Sequence, residues 1–329
     1  YIKQIVYPPP NLQGRLTIFD GVRASISDAT KKQCSDQLRF QIAGALAGLT
    51  SIDASDALSE ALVKHGGICP EVIDTIEMEK GRMLKKSEVL TYVPKHEILK
   101  ADELGGYDTL KAWLDERSVA YTPEAAELGL DYPKGVVLIG VPGAGKSVCA
   151  DVIARKLHLP RVTFAVDAVF NSLVGESERR TREAIQTVEA MEGCVLLIDE
   201  ADKVLGGAAE STGDSGVTRR IFGQILSWLS GKKSPTFVVL TMNRVTGMPP
   251  ELLRRGRFDE VFFVDLPNPH ERMEVLKIHL RRRGRDPSKF AGLKDLAKIA
   301  EHHSGAELEQ IVISGLYTAF SEKRELKEE

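Results

Sequence analysis

Five short apolar runs punctuate the middle of the chain: "GVVLIG" (135–140), "RVTFAV" (161–166), "CVLLID" (194–199), "TFVVLT" (236–241) and "EVFFVD" (260–265). They show little of the in–out alternation of a half-exposed strand, so each predicts a strand buried on both faces. Segments of helical pattern lie between them. Buried strands separated by helices predict a parallel sheet covered on both sides, a three-layer α/β/α fold over residues 98–265.

The flanks read differently. Residues 1–97 are expected to be mostly helical after an extended start, with "VYPPP" rigid and "LTIFDGV" (16–22) of strand character. An apolar-periodic helix is expected from about 30 to 48. A capped helix follows over "SIDASDALSEALVKHGG", and another over "CPEVIDTIEMEKGRMLKKS". Residues 266–329 predict a small lid of three helices, "PHERMEVLKIHLRRR", "LKDLAKIAEHH" and "GAELEQIVISGLYTAFSEK". No chemical motif stands out before residue 98.

Composition narrows the function classes. The net charge of −3 argues against a whole-protein footprint for nucleic acid. No apolar run approaches the roughly 20 residues that span a bilayer. The four cysteines, Cys34, Cys69, Cys149 and Cys194, form no CxxC pair, and a reducing compartment is expected. Cys149 and Cys194 read as small core residues. His302 and His303 are neighbours, so no zinc spacing is present. The start lacks an initiator methionine and a signal-peptide apolar region, and a partial chain is expected.

Chemistry concentrates at the ends of the apolar runs. "GVPGAGKS" fits G-x-x-x-x-G-K-[ST] with Gly140, Gly145, Lys146 and Ser147, after a predicted strand and before a predicted helix. In that setting residues 142–148 (Pro142, Gly143, Ala144, Gly145, Lys146, Ser147, Val148) would wrap phosphates with backbone N–H groups at a helix N-terminus. Lys146 would reach the β- and γ-phosphates of ATP, and Ser147 would ligate Mg²⁺. Asp199 and Glu200 end the buried run "CVLLIDE": Asp199 is expected to hold Mg²⁺ through water and Glu200 to polarise the attacking water. Asn243 ends "VLTMN", where it either hydrogen-bonds the attacking water or γ-phosphate or serves as an ordinary turn residue. "PPELLRRGRFDE" places Arg254, Arg255 and Arg257 in one turn, as surface ion pairs or as arginine fingers.

This order of signals resembles the AAA clade of AAA+ ATPases, over about residues 98–329, and implies a P-loop NTPase fold. By that resemblance Asn243 is the first sensor, and Arg254 and Arg257 act on a neighbouring subunit's nucleotide. Arg255 receives no role. "ADELGG" resembles the clade's entry turn, with Leu104 and Gly105 near adenine; His279 matches a base- or ribose-contacting histidine. "HSGAEL" resembles the lid motif, with Gly305 and Ala306 near the nucleotide. "NSLVGESERR" resembles the first pore loop, with Leu173, Val174 and Gly175 at a tip that lacks the usual aromatic, and residues 206–220 stand where a second pore loop is found.

"GGYDTLKAWLDERS", "LVGESERRTREAIQTVEAMEGCVLLIDEADK" and "GRFDEVFFVDLPNPHERMEVLKIHL" are similar to the hypothetical chloroplast reading frame 46 family, found in plastids and bacteria. The resemblance implies a Mg²⁺-dependent ATPase that forms a homo-oligomeric ring of six and remodels a macromolecular partner, a protein first, in bacterial cytosol or plastid stroma. A nucleic-acid-acting motor is the alternative suggested by the basic run "LRRRGRDPSK" (280–289), which as a helix end also reads as a solvated face. A slow nucleotide-switched scaffold is the second alternative, suggested by the atypical pore loop.

Overall fold

A six-stranded sheet, in the order β1-β3-β4-β5-β2-β6, organises the middle of the chain in the computed structural model. The described residues are 9–25, 34–85, 89–98, 104–170, 176–202, 215–244, 250–254 and 256–323. The strands are β1 (Leu90–Val93), β2 (Gly135–Gly140), β3 (Arg161–Phe164), β4 (Val195–Ile198), β5 (Phe237–Met242) and β6 (Glu260–Val264). β2 to β6 run parallel, as the unbroken apolar runs predict. β1 alone pairs antiparallel, placing Leu90 opposite Phe164 and Val93 opposite Arg161. The sequence reading missed this edge strand, and it ran β3 two residues too far: after Phe164 the chain turns into a short helix from Val166.

Strand geometry explains why the apolar runs are continuous. Val137 and Ile139 of β2 face one apolar cluster, together with Leu196, Ile198, Val238 and Leu240. The intervening Val136 and Leu138 face the other, with Val195, Leu197, Phe237 and Val239. Neither face of β2, β4 or β5 meets water, so their alternate positions are apolar, Thr241 excepted. Each such side chain contributes about 1.5–3 kcal/mol on burial. β6, expected to be buried on both faces, is instead an edge strand that leaves Phe263 69% exposed. Helices α5 (Asp108–Ser118) and α6 (Lys146–Lys156) cover the second face, through Leu110, Leu114 and Ile153. Helices α7 (Glu176–Ala190) and α8 (Ser215–Gly231) cover the first, through Val188, Ile221 and Leu229. Cys149 and Cys194 are fully buried, and burial pushes each thiol up to about 12.

Before the sheet come α1 (Leu12–Ser25), α2 (Asp36–Ala45), α3 (Ser51–His65) and α4 (Glu71–Lys85). The expected strand "LTIFDGV" is instead the body of α1. Its strand formers are overruled by helical spacing: Leu16 and Phe19 fall three apart on one face and are buried, and the Asn11 side chain accepts the Gly14 N–H at the helix start. Of "VYPPP", only Pro9 and Pro10 belong to the described residues, and they precede the helix. The helix expected from about 30 to 48 is shorter, opening at the Ser35 cap. α3 is capped by the Thr50 hydroxyl and stopped by Gly66 in the left-handed region.

Two buried arginines hold the flanking helices. Arg15 donates Nε to Ala43 O at 2.8 Å and Nη1 to Pro10 O at 2.9 Å. Nη1 also donates to Glu192 Oε1 at 3.1 Å, and Nη2 to Glu192 Oε2 at 2.5 Å, at the foot of the core. After the sheet, α9 (Pro269–Arg282), α10 (Leu293–Ile299) and α11 (Gly305–Ser321) enclose their own apolar cluster around Leu276, Leu308 and Val312. Here Arg272 donates Nε to Ala297 O at 2.6 Å and Nη1 to Pro267 O at 2.7 Å. Among the described residues no helix is long and apolar enough to cross a membrane.

Candidate functional site

The turn between β2 and α6 bends sharply. Gly143 (φ +75°) and Gly145 (φ +93°) occupy the left-handed region, which costs glycine nothing and lets the backbone close on a small space. Lys146 begins α6, and its side chain folds back into the turn, where Nζ donates to Gly140 O at 2.9 Å and Val141 O at 2.7 Å. Burial lowers its pKa, and the carboxylates of Asp199, Asp202 and Glu200 pull the other way.

Beside it, Ser147 Oγ donates to Asp199, 2.9 Å from Oδ1 and 2.8 Å from Oδ2. Thr241 Oγ1 also donates to Asp199 Oδ1, and the same hydroxyl accepts the Glu200 N–H at 2.9 Å. Glu200 has φ +50°, an uncommon conformation for a non-glycine residue. Asn243 follows β5, its N–H bound by Asp202 Oδ1 at 3.0 Å. β5 lies between β2 and β4, so the three strand ends deliver these groups side by side.

They open into one cleft of about 340 Å³ between the core and α9–α11. Its walls include Pro142 to Val148, Asp199, Glu200 and Asn243. Leu104 and Gly105 line the entry side, and His279, Gly305 and Ala306 the helical side. The sequence-predicted residues of the phosphate turn, the acidic pair, the entry turn and the lid therefore share one space. Arg254 and Arg257 do not line it. Arg254 is exposed on the turn after β5, and Arg257 donates Nη1 to Glu251 O at 2.5 Å. Leu173, Val174, Gly175 and Arg255 lie outside the described residues.

The lid reaches the phosphate turn directly: Ala306 N donates to Gly143 O at 3.0 Å. Capping boxes at Asn268–Glu271 and Ser304–Glu307 set the starts of α9 and α11, and so aim the Ala306 N–H. His279 is 9% exposed, and among the described residues its Nδ1 has no hydrogen-bond partner, standing 3.6 Å from Glu309 Oε1. Burial lowers its pKa, opposed by Glu309 and reinforced by Arg282 and Arg283. Glu309 itself is held below the usual carboxylate range, first by its hydrogen bond from Arg283, 2.8 Å away.

Sequence reasoning passed over six lining residues: Tyr107, Thr241, Val275, Ile278, Arg282 and Glu309. Tyr107 donates its hydroxyl to Ala144 O at 2.5 Å. Its only sequence signal was the preceding Gly105-Gly106. Arg282 belongs to the basic run 280–289, and its spacing of three from His279 puts it on the cleft side of α9.

The donor set fits a nucleotide with Mg²⁺. Among the described residues no group of three or more His, Cys, Asp or Glu side chains could hold a metal unaided. Mg²⁺ seldom uses such cages, and takes one or two protein oxygens with water and phosphate, as Ser147 and Asp199 could offer. The buried Lys146 ammonium, held among the described residues by two carbonyls, suits an anion position.

The comparisons agree with this geometry. Residues 136–266 match the profile "ATPase family associated with various cellular activities (AAA)", and residues 17–87 match "SpoVK-like AAA ATPase, second domain". The chain is 37% identical over 305 residues to the "Uncharacterized AAA domain-containing protein ycf46" of Pyropia yezoensis, covering 92% of this chain and 61% of that one. It is 41% identical over 268 residues to the protein of the same name in Trieres chinensis, covering 82% and 53%. A "Proteasome-activating nucleotidase" of Aeropyrum pernix is 34% identical over 197 residues, covering 59% and 47%. The chain thus spans little more than half the length of its ycf46 relatives. With an α/β core that puts a glycine turn, an acidic pair and a lid around one cleft, the chain belongs to the AAA family of ATPases and is similar to its ycf46 members.

Proposed function

We propose that this chain binds Mg·ATP between core and lid, hydrolyses it with a second subunit's help, and uses the cycle to remodel a macromolecular partner, most simply a protein. The observation that carries the reading is the convergence of Lys146, the Ser147–Asp199 pair, Glu200 and Asn243 on the cleft that the lid closes. In it, Lys146 exchanges two carbonyls for phosphate oxygens, a charge-assisted bond and the stronger of the two. Ser147 and Asp199 hold Mg²⁺, which when bound neutralises phosphate charge. Glu200 takes the proton of the attacking water, and Asn243 orients that water without adding charge.

The unit of activity is a ring, expected to have six members. Arg254 is exposed and outside its own chain's cleft, where it is available to a neighbour's phosphates. A protein partner is favoured by the name of the proteasome-activating relative. A nucleic-acid motor is less favoured, because within the basic run Arg282 lines the cleft and Arg283 is paired with Glu309, which leaves fewer of its charges for a nucleic acid. Plastid stroma or bacterial cytosol is the proposed compartment, following the ycf46 relatives.

Phosphate release from the purified chain, with and without an unfolded polypeptide, tests the reading. ATP- and Mg²⁺-dependent turnover that rises with chain concentration is expected. Turnover that is absent at every concentration overturns the ATPase. Turnover raised by DNA or RNA, with a steep salt dependence and no response to polypeptide, overturns the protein partner.

A further inference from the structure

β5 carries a single polar residue. Phe237, Val238, Val239, Leu240 and Met242 are apolar and buried, and between the last two stands Thr241, 1% exposed. A valine has nearly the same shape, so the space alone does not call for a hydroxyl. Burying a hydroxyl is costly unless it finds partners. Alternation along the strands explains where this one points. Leu197 of β4 and Val239 of β5 lie on the sheet face that α6 covers. Two residues on, Asp199 and Thr241 come to that same side, one step beyond the paired Ile198 and Leu240. There they meet the first turn of α6, which carries Ser147.

The hydroxyl is used in both senses. Thr241 Oγ1 donates to Asp199 Oδ1 and accepts the Glu200 N–H at 2.9 Å. Asp199 is thereby held from two elements, by Ser147 of α6 and by Thr241 of β5. Glu200 is held in a different way. Its φ of +50° is a conformation that a non-glycine residue keeps only where its surroundings fix it. The bond from Thr241 is to the Glu200 main chain, so it sets the backbone from which that carboxylate starts. A hydroxyl that donates is also a better acceptor, so the two bonds support each other.

We propose that Thr241 is a positioning residue for the acidic pair. Its one side-chain oxygen fixes the Asp199 carboxylate where a divalent cation is held and the Glu200 backbone where the attacking water is polarised. The inference rests on the Mg·ATP reading of the cleft and adds to it a residue that touches neither cation nor water. Both tasks belong to the hydroxyl and neither to the methyl group. Serine in this place therefore keeps the function and valine loses it.

The test is binding of a fluorescent ATP analogue to the full chain, in Mg²⁺ and in EDTA, beside turnover and melting temperature. Thr241→Val should match wild type in EDTA. It should lose about tenfold or more of the affinity that Mg²⁺ adds, the effect of one hydrogen bond to a charged group. Its kcat should fall, and half-maximal turnover should need more Mg²⁺. Thr241→Ser should restore all three quantities. If the valine chain does not fold, Thr241→Cys carries the test, since a thiol of similar size is only a weak donor and acceptor, and losses in the same direction are expected.

Wild-type Mg²⁺ gain and kcat in the valine or cysteine chain overturn the proposal. So does affinity that falls equally with and without Mg²⁺, which makes Thr241 a packing residue, and so does a serine chain no better than valine. A wild type without any Mg²⁺ gain overturns it too. A wild type that shows the gain but never turns over overturns hydrolysis and the Glu200 half, while the gain in the variants still decides the Asp199 half.

Discussion

Ser147 Oγ lies 2.8 Å from Asp199 Oδ2 and 2.9 Å from Oδ1, joining the first turn of α6 to the end of β4 across the cleft. A phosphate turn and an acidic strand end, 52 residues apart in sequence, meet as one set of oxygen ligands. Their polarity suits a hard cation rather than a soft one.

Lys146→Ala removes the only side-chain ammonium inside the phosphate turn. Losing a charged hydrogen bond of about 1.5–3 kcal/mol is expected to weaken ATP binding roughly 10- to 100-fold. Isothermal titration with Mg·ATP checks it, and near-wild-type affinity would reject the role.

Glu200→Gln keeps the size of the side chain and removes its basicity. Nucleotide affinity should hold while turnover falls by about 10²–10⁴, the usual range for a positioned general base. Titration and single-turnover phosphate release, run on the same preparation, separate the two effects.

Arg254→Ala should leave binding intact, because Arg254 is outside its own cleft. Hydrolysis should drop by about 10³–10⁵ if it supplies charge to a neighbour's phosphoryl group. Full activity of this variant alone would remove the finger. Recovery on mixing with Lys146→Ala chains would show that the arginine acts between subunits.

The buried His279 gives the lid a pH dependence. Its folded pKa lies below the ordinary 6.5, so below pH 6.5 the unfolded chain binds more protons than the folded one. Stability from this residue is present above pH 6.5 and is lost as the pH falls through the folded pKa. Melting curves between pH 7.5 and 5 should show wild type losing more stability than His279→Gln. Parallel curves would contradict the burial argument.

Arg272→Ala leaves the carbonyls of Ala297 and Pro267 without their donors inside the lid. Each buried acceptor left unmet costs about 1–3 kcal/mol, so denaturant melts should show the lid transition shifted first. Arg15→Ala should act similarly on the first helical unit and also release Glu192.

The parts legible from sequence were those whose signal is local. Val136 to Ile139 announced a buried strand because each is apolar, and Gly143 to Ser147 announced a phosphate turn because strand, glycines, lysine and helix are consecutive. Leu90–Val93 was missed because a four-residue edge strand is too short to show a period, and its place depends on β3. "LTIFDGV" was misread because strand propensity is weak beside an Asn11 cap and burial at Leu16 and Phe19. Tyr107, Arg282 and Glu309 reach the cleft only through packing of distant segments, for which no spacing rule exists.

The bond from Ala306 N to Gly143 O has one more consequence. Both partners are main-chain atoms, so ordinary side-chain replacement can neither delete this latch nor retune its chemistry. Only displacement can. What passes from nucleotide to lid along this route is position alone, and the one residue type that would silence it at 306 is proline, which has no proton to give.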